Sequence, residues 1–192
     1  MPEILRMSQI VKVYPNGMVA NNHADLEVDA GEIHALVGEN GAGKTTLMKI
    51  LFGIEQATQG KIFFQGKEVQ FRSPIDAIGR GLGMVHQHFM LVNSMTVAEN
   101  IVLGMEPTTG LFLSEKKVIE NARSIIAQYN FDMDPRARIE DLPIGTRQKV
   151  EILKALYRGA ELLILDEPTA VLTPQETVEL FKELKGLKAM GH

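Results

Sequence analysis

A glycine-rich loop caught between a strand pattern and a helix pattern constrains this chain more than any other feature. Gly38, Glu39, Asn40, Gly41, Ala42, Gly43, Lys44 and Thr45 fit G-x-x-x-x-G-K-[ST], with Thr46 following. In such a loop successive backbone N–H groups wrap phosphate oxygens, and the helix behind the loop adds the positive end of its dipole. Lys44 has the reach for β- and γ-phosphates, and Thr45 offers a hydroxyl to Mg²⁺. The glycines allow backbone geometry that a Cβ would obstruct. The segment before the loop, Ile33 to Val37, reads as a short apolar strand. Leu47, Ile50 and Leu51 recur beyond the loop at helical spacing until Gly53 supplies a left-handed stop.

The rest of the chain must be compatible with such a site, and composition permits it. The 192 residues are 45% apolar and 23% charged, the balance of an ordinary globular chain and not of a disordered, collagenous or coiled-coil one. With 24 acidic against 20 basic residues, the net charge of −4 gives no general attraction to nucleic acid or to an anionic membrane surface. Cysteine is absent, so disulfides, thiolate metal sites and cysteine nucleophiles are excluded. No apolar run approaches the roughly 20 residues of a membrane span, and the first residues lack a signal-peptide layout, so any membrane role is expected to be peripheral.

Around the loop the chain changes texture. Leu26 to Val28 reads as a strand joined to the Ile33 to Val37 strand by a turn at Asp29, Ala30 and Gly31. Lys61 to Phe64 and Lys67 to Phe71 read as a hairpin turning at Gln65 and Gly66. Helical patterns then take over. Thr96 and Glu99 form a capping box, the stretch from Val118 to Tyr129 carries a helical apolar period, and Val150 to Tyr157 continues it beyond Pro135. Leu162 to Leu165 is a continuous apolar run suited to a buried parallel strand, ended by Asp166 and Glu167. Thr173, Pro174 and Glu176 open a last helix, with an apolar stripe expected at Val178, Phe181, Leu184 and Leu187.

A carboxylate at the carboxyl end of a buried strand is what a phosphate loop lacks, because nucleotide sites of parallel sheets lie there. Asp166 is the candidate to hold Mg²⁺ through its water shell, and Glu167 the candidate to polarise an attacking water. His86 and His88 flank Gln87 as a possible metal pair, but two histidines beside a strand are more often not ligands. The ten methionines show no ligand-like clustering and read as flexible packing residues.

Together with the two nucleotide motifs, Val85 to Phe89 and the block from Leu142 to Gln175 resemble the ATP-binding subunits of ABC transporters, and more narrowly Met84 to Val92, Val150 to Gly159 and Leu165 to Glu176 resemble the simple-sugar and nucleoside importers. The resemblance runs from about Ile4 to the C-terminus. It implies an α/β P-loop NTPase core with a mostly parallel sheet, an antiparallel β lobe and an inserted helical subdomain. The corresponding division is residues 1–89 for the nucleotide-binding core with the β lobe, 90–158 for the helical signature subdomain, and 159–192 for the continuation of the core. It also implies an ATPase that uses ATP and Mg²⁺ to drive import of a nucleoside or simple sugar. Its partners would be a second cassette, transmembrane permease subunits and an upstream solute-binding protein, with no nucleic acid, at the cytoplasmic face of the cell membrane. Soluble ABC ATPases of translation or DNA repair share the motifs, and a non-catalytic nucleotide-binding fragment is a further alternative. The resemblance assigns adenine stacking to Tyr14, and contact with Mg²⁺ and the attacking water to Gln87.

Two departures from the family pattern stand out. The signature, commonly Leu-Ser-Gly-Gly-Gln, aligns with Leu142, Pro143, Ile144, Gly145 and Thr146, which keeps the second glycine and loses the serine. Proline removes both a hydroxyl and a backbone donor. The resemblance thereby implies an asymmetric pair of cassettes with one weakened ATP site. The family's switch histidine lies beyond a strand that would follow the last helix, and His192 arrives too early to be it, so the chain is expected to be most of the first of two tandem cassettes, inactive when isolated.

Overall fold

The structure is a computed structural model and describes residues 2–87, 89–109 and 112–192. The chain divides into two compact units, Met1–Leu82 with Lys188–His192, and Gly83–Leu187.

The first unit is built on an antiparallel sheet of order β2-β1-β3-β4, formed by β1 (Glu3–Val13), β2 (Val19–Asp29), β3 (Gln59–Phe64) and β4 (Lys67–Val69). β1 pairs with both neighbours, and its inward residues Leu5, Met7 and Ile10 are almost completely buried. The inward alternation breaks after Met7, where the register shifts on both sides of the strand and Gln9 takes a φ of 52°. Asp25 pins this bulge, its two carboxylate oxygens accepting from the Gln9 backbone N–H and side-chain Nε2, each at 2.7 Å. Gly60 lies opposite, and a Cβ there would come within 2.5 Å of the Gln9 carbonyl oxygen. The β3–β4 hairpin turns at Gln65 and Gly66 with φ of 52° and 73°, the paired positive values that match a two-residue turn to strand twist. α1 (Lys44–Leu51) buries Leu47, Ile50 and Leu51, and Gly53 follows it at φ 75°.

Ile33 to Val37 is not a strand. No strand among the described residues pairs with it, and Ile33, Leu36 and Val37 are 43%, 40% and 88% exposed. An apolar run becomes a strand only when neighbouring strands take up its N–H and C=O groups, and sequence pattern alone does not supply them.

The second unit brings β5 (Leu82–Val85) beside β8 (Leu162–Leu165). They run in the same direction, since a Cβ on Gly83 would meet Leu163 while the Asp166 N–H donates to the Val85 carbonyl at 3.0 Å. Helices form the rest: α2 (Pro74–Gly79) precedes β5 in the first unit, and α3 (Val97–Val102), α4 (Glu115–Gln128), α5 (Ile144–Tyr157) and α6 (Pro174–Ala189) follow it. Two short strands, β6 (Thr108–Thr109) and β7 (Phe112–Leu113), pair between α3 and α4. Thr96 opens α3 with both bonds of the expected capping box, a local term of about 1 kcal/mol. Val97, Ile101, Val118, Ala122, Ile139, Val150, Ile152 and Leu153 are at most 2% exposed and close one apolar core. α6 differs from the expected stripe: Leu180 and Leu187 are buried, Leu184 packs against the core, and Val178 and Phe181 are 71% and 46% exposed. The buried face is therefore rotated by about one residue from the one that the apolar pattern suggests.

Candidate functional site

The loop of residues 38–45 is held by its own lysine. Lys44 Nζ donates to the carbonyls of Gly38 at 2.5 Å and Glu39 at 2.8 Å, and the Ala42 N–H returns to the Glu39 carbonyl at 3.2 Å. Gly43 caps α1 at φ 87°, and a Cβ on it would lie 2.2 Å from the Ala20 carbonyl oxygen, so both conformation and space require glycine. Behind it Asn21, 6% exposed, donates from Nδ2 to the Gly43 carbonyl at 3.2 Å. Sequence reading passed over Asn21, which is an ordinary strand residue until the loop is packed on it. The first turn of α1 has no acidic side chain and no side-chain cap, so its N–H groups meet no competing anion from that turn. An exposed loop with two left-handed glycines, an uncapped helix start and an ammonium at its rim fits a polyphosphate.

Tyr14 sits at the tip of the β1–β2 hairpin, where its N–H bonds the Met18 carbonyl and its own carbonyl accepts from Gly17. Its ring is half-buried, with Lys12 Nζ 5.1 Å from the ring centroid. The same β2 strand places Ala20 and Asn21 against Gly43, so one hairpin carries the candidate base-stacking ring and the wall of the loop.

In the second unit, the bond from Asp166 N–H to the Val85 carbonyl aligns the carboxyl ends of β5 and β8. Gln87 leaves one end and Asp166 and Glu167 leave the other, so the three candidates start from one sheet edge. Glu167 is exposed and stands at φ 48°, a left-handed conformation that a non-glycine residue holds only under constraint. His88 lies outside the described residues, and among the described residues no cluster of three or more His, Asp or Glu side chains suits a metal ion. Mg²⁺ is usually held largely by water and phosphate, so a site for it does not require a cluster of protein carboxylates.

The candidate signature begins α5. Pro143 is its N-cap residue, at φ −57° and with no side-chain cap. Leu142 and Thr146 are half-buried, Ile144 is exposed and Gly145 is buried. The missing cap comes from α6: Glu176 Oε1 accepts from the Gly145 N–H at 3.2 Å, and Oε2 accepts from the N–H and hydroxyl of Thr173 at 2.9 Å each. A Cβ on Gly145 would come within 2.8 Å of Glu176 Oε1. The Thr173 amide first, then its hydroxyl, and also the Gly145 amide hold the Glu176 carboxyl below its usual range. The sequence shows Glu176 only as a local capping-box residue; its second bond spans 31 positions and leaves no periodic signal.

Further along α5, Glu151 and Lys154 are 6% and 9% exposed. Lys154 Nζ donates to the Met90 carbonyl at 2.8 Å, three residues after Gln87. Burial raises the Glu151 carboxyl, opposed by Lys154 and by the Met90 amide, and burial lowers the Lys154 ammonium, opposed by Glu151. These residues anchor the Gln87 segment to α5, a role no spacing rule announces.

The ABC transporter family profile matches residues 21–170. The chain belongs to that family. It is 49% identical to the guanosine import ATP-binding protein NupO of Bacillus subtilis over 191 residues, which cover 100% of this chain and 37% of that protein. It is 44% identical to the galactose/methyl galactoside import ATP-binding protein MglA of Escherichia coli, with 98% of this chain and 37% of that protein covered. The chain thus spans little more than a third of the length of these relatives. Among solved structures, an ATP-binding cassette of an ABC transporter in its ADP conformation superposes with a TM-score of 0.86 at 27% identity, covering 100% of this chain and 79% of that one. The α/β fold of the P-loop NTPases expected from the sequence is therefore the fold of the chain. No helix among the described residues is long and apolar enough to cross a membrane.

Proposed function

We propose that this chain is the ATP-binding and ATP-hydrolysing cassette that powers ABC-type import of a nucleoside or a simple sugar. The observation that carries the reading is a phosphate loop with its lysine folded over it, in a chain 44–49% identical along its whole length to importers' ATP-binding proteins. The first unit contributes Gly38 to Thr46 for the phosphates and Tyr14 for the base. The second contributes Asp166, Glu167 and Gln87. Mg²⁺, when bound, neutralises charge on the phosphates, with Thr45, Asp166 and Gln87 as the residues to hold it. Glu167 takes up the proton of the attacking water as the water oxygen bonds to the γ-phosphorus, while the bond from the γ-phosphorus to the β,γ-bridging oxygen breaks and ADP leaves with that electron pair.

A second cassette closes the site in this reading, permease subunits receive the motion, and a solute-binding protein delivers the solute to the far side of the membrane. The chain is peripheral at the cytoplasmic face. A relative that imports guanosine and one that imports galactosides stand at similar identity, which fits a solute chosen by other subunits. Uptake of labelled guanosine and galactose into vesicles carrying the full transporter, with and without internal MgATP, tests it. ATP-independent uptake, or no uptake of either solute class, overturns it.

A further inference from the structure

We propose that Gln148 is a positioning residue for Glu167, and that it ties Glu167 to the helix whose first turn is the candidate signature; this rests on the reading of Glu167 given above. Glu167 at φ 48° stays where it is only if its neighbours are held. Three hydrogen bonds fix the backbone around it: Asp166 N–H to the Val85 carbonyl at 3.0 Å, Ala170 N–H to the Glu167 carbonyl at 3.1 Å, and Gln148 Nε2 to the Pro168 carbonyl at 2.8 Å. The first belongs to the sheet and the second to the local turn. The third arrives from α5.

Gln148 is a costly way to stabilise a fold. It is 3% exposed, and its Oε1 is buried with no hydrogen-bond partner among the described residues. A buried amide that makes one bond and leaves its carbonyl unmet loses much of what the bond gains, and an apolar side chain of the same shape would serve folding as well. What an apolar side chain cannot do is hold Pro168, the residue after Glu167. Three positions earlier on α5, Gly145 is bonded to Glu176. The segment from Pro168 to Glu176 is therefore fastened to the first turns of α5 at both its ends. A displacement of the start of α5 reaches Glu167 through Gln148, which makes turnover at this chain's own loop sensitive to what the signature turn contacts.

Gln148→Met keeps the shape and removes the donor together with the unmet carbonyl. In this chain the unfolding midpoint is expected to be unchanged or higher, and MgATP affinity by calorimetry unchanged. Amide exchange at Ala170 should speed up by about tenfold, because the turn at Glu167 opens locally. In the full transporter kcat should fall by about tenfold or more at unchanged KM, the mark of an interaction needed only in the transition state. A midpoint lowered by more than about 5 °C would make Gln148 a structural residue and overturn the proposal. So would wild-type exchange at Ala170, or wild-type kcat beside an inactive Glu167→Gln control. If Glu167→Gln itself turns over like the wild type, the reading of Glu167 fails first, and this proposal falls with it.

Discussion

Lys44 does two things that one substitution separates. Its ammonium closes the loop by bonding the Gly38 and Glu39 carbonyls, and under the proposed function it is the one positive charge in the motif for the β- and γ-phosphates. Lys44→Ala is expected to cost most of the MgATP affinity with little change in unfolding midpoint, since the loop is exposed; wild-type affinity by calorimetry would refute the assignment. Glu167→Gln should retain nucleotide and lose turnover in the assembled transporter, because the substitution removes the proposed proton acceptor and leaves the phosphate contacts. Gly43→Ala should destabilise the first unit by about 2 kcal/mol or more, from a strained left-handed residue and a 2.2 Å approach to Ala20; urea unfolding measures it. Gly43 and Lys44 were legible because phosphate chemistry asks for particular residue types in one contiguous run, and Glu167 because it ends a continuous apolar strand pattern. Asn21, Glu151, Lys154 and Gln148 were not, because each acts on a backbone group brought near by packing, 20 or more positions away in all four cases.

At the scale of elements, local codes carried further than periodicity. The capping boxes at Thr96 and Thr173 and the turn at Gln65 and Gly66 formed where the residues predict them, since each is completed within four residues. The Ile33 to Val37 strand did not, and of the expected apolar face of α6 Leu184 and Leu187 turn inward while Val178 and Phe181 do not, since both features depend on neighbours. β1 was missed because its bulge at Gln9 interrupts the alternation by which a strand is recognised. Capping also sets an acid response. In Glu176 the Thr173 amide, and in Glu99 the Thr96 amide, are the leading causes that lower the carboxyl below its ordinary 4.5. A carboxyl depressed in the folded state contributes stability above its unfolded pKa and loses it as pH falls through the folded one. Glu151 has the opposite sign: burial raises it, and its contribution falls as pH rises from the unfolded towards the folded value. Thermal melts between about pH 7 and about pH 3 should therefore show the midpoint dropping on the acid side below the unfolded carboxylate range. Glu176→Gln should lower the midpoint at neutral pH and shrink the acid-side drop. An unaltered profile would mean that the carboxylate does not cap α5.

For the whole molecule, the informative contrast is between a loop that keeps every residue its chemistry needs and a signature that does not. In the arrangement that membership of this family suggests, each ATP of a cassette pair is enclosed by the loop of one cassette and the signature of the other. Under the proposed function, Gly38 to Thr46 would serve a site completed by a partner's signature, while Leu142 to Thr146 would face the nucleotide on the partner's loop. That second contact is poor in donors. Pro143 has neither hydroxyl nor N–H, Thr146 replaces a longer amide, and the Gly145 N–H is already bonded to Glu176. We expect that Pro143→Ser with Thr146→Gln raises ATP turnover at the partner's loop and leaves MgATP affinity at Lys44 unchanged. The gain should be modest, about several-fold, because a hydroxyl and an amide are restored while Glu176 still holds Gly145. ATPase assays of the paired protein, with the partner's loop lysine intact or replaced, decide it. The gain must vanish when that lysine is lost, since the restored donors act only on nucleotide held there. A gain that survives the loss, or no gain with both loops intact, would mean that Pro143 and Thr146 do not face the partner's ATP and that the two sites are not unequal for this reason.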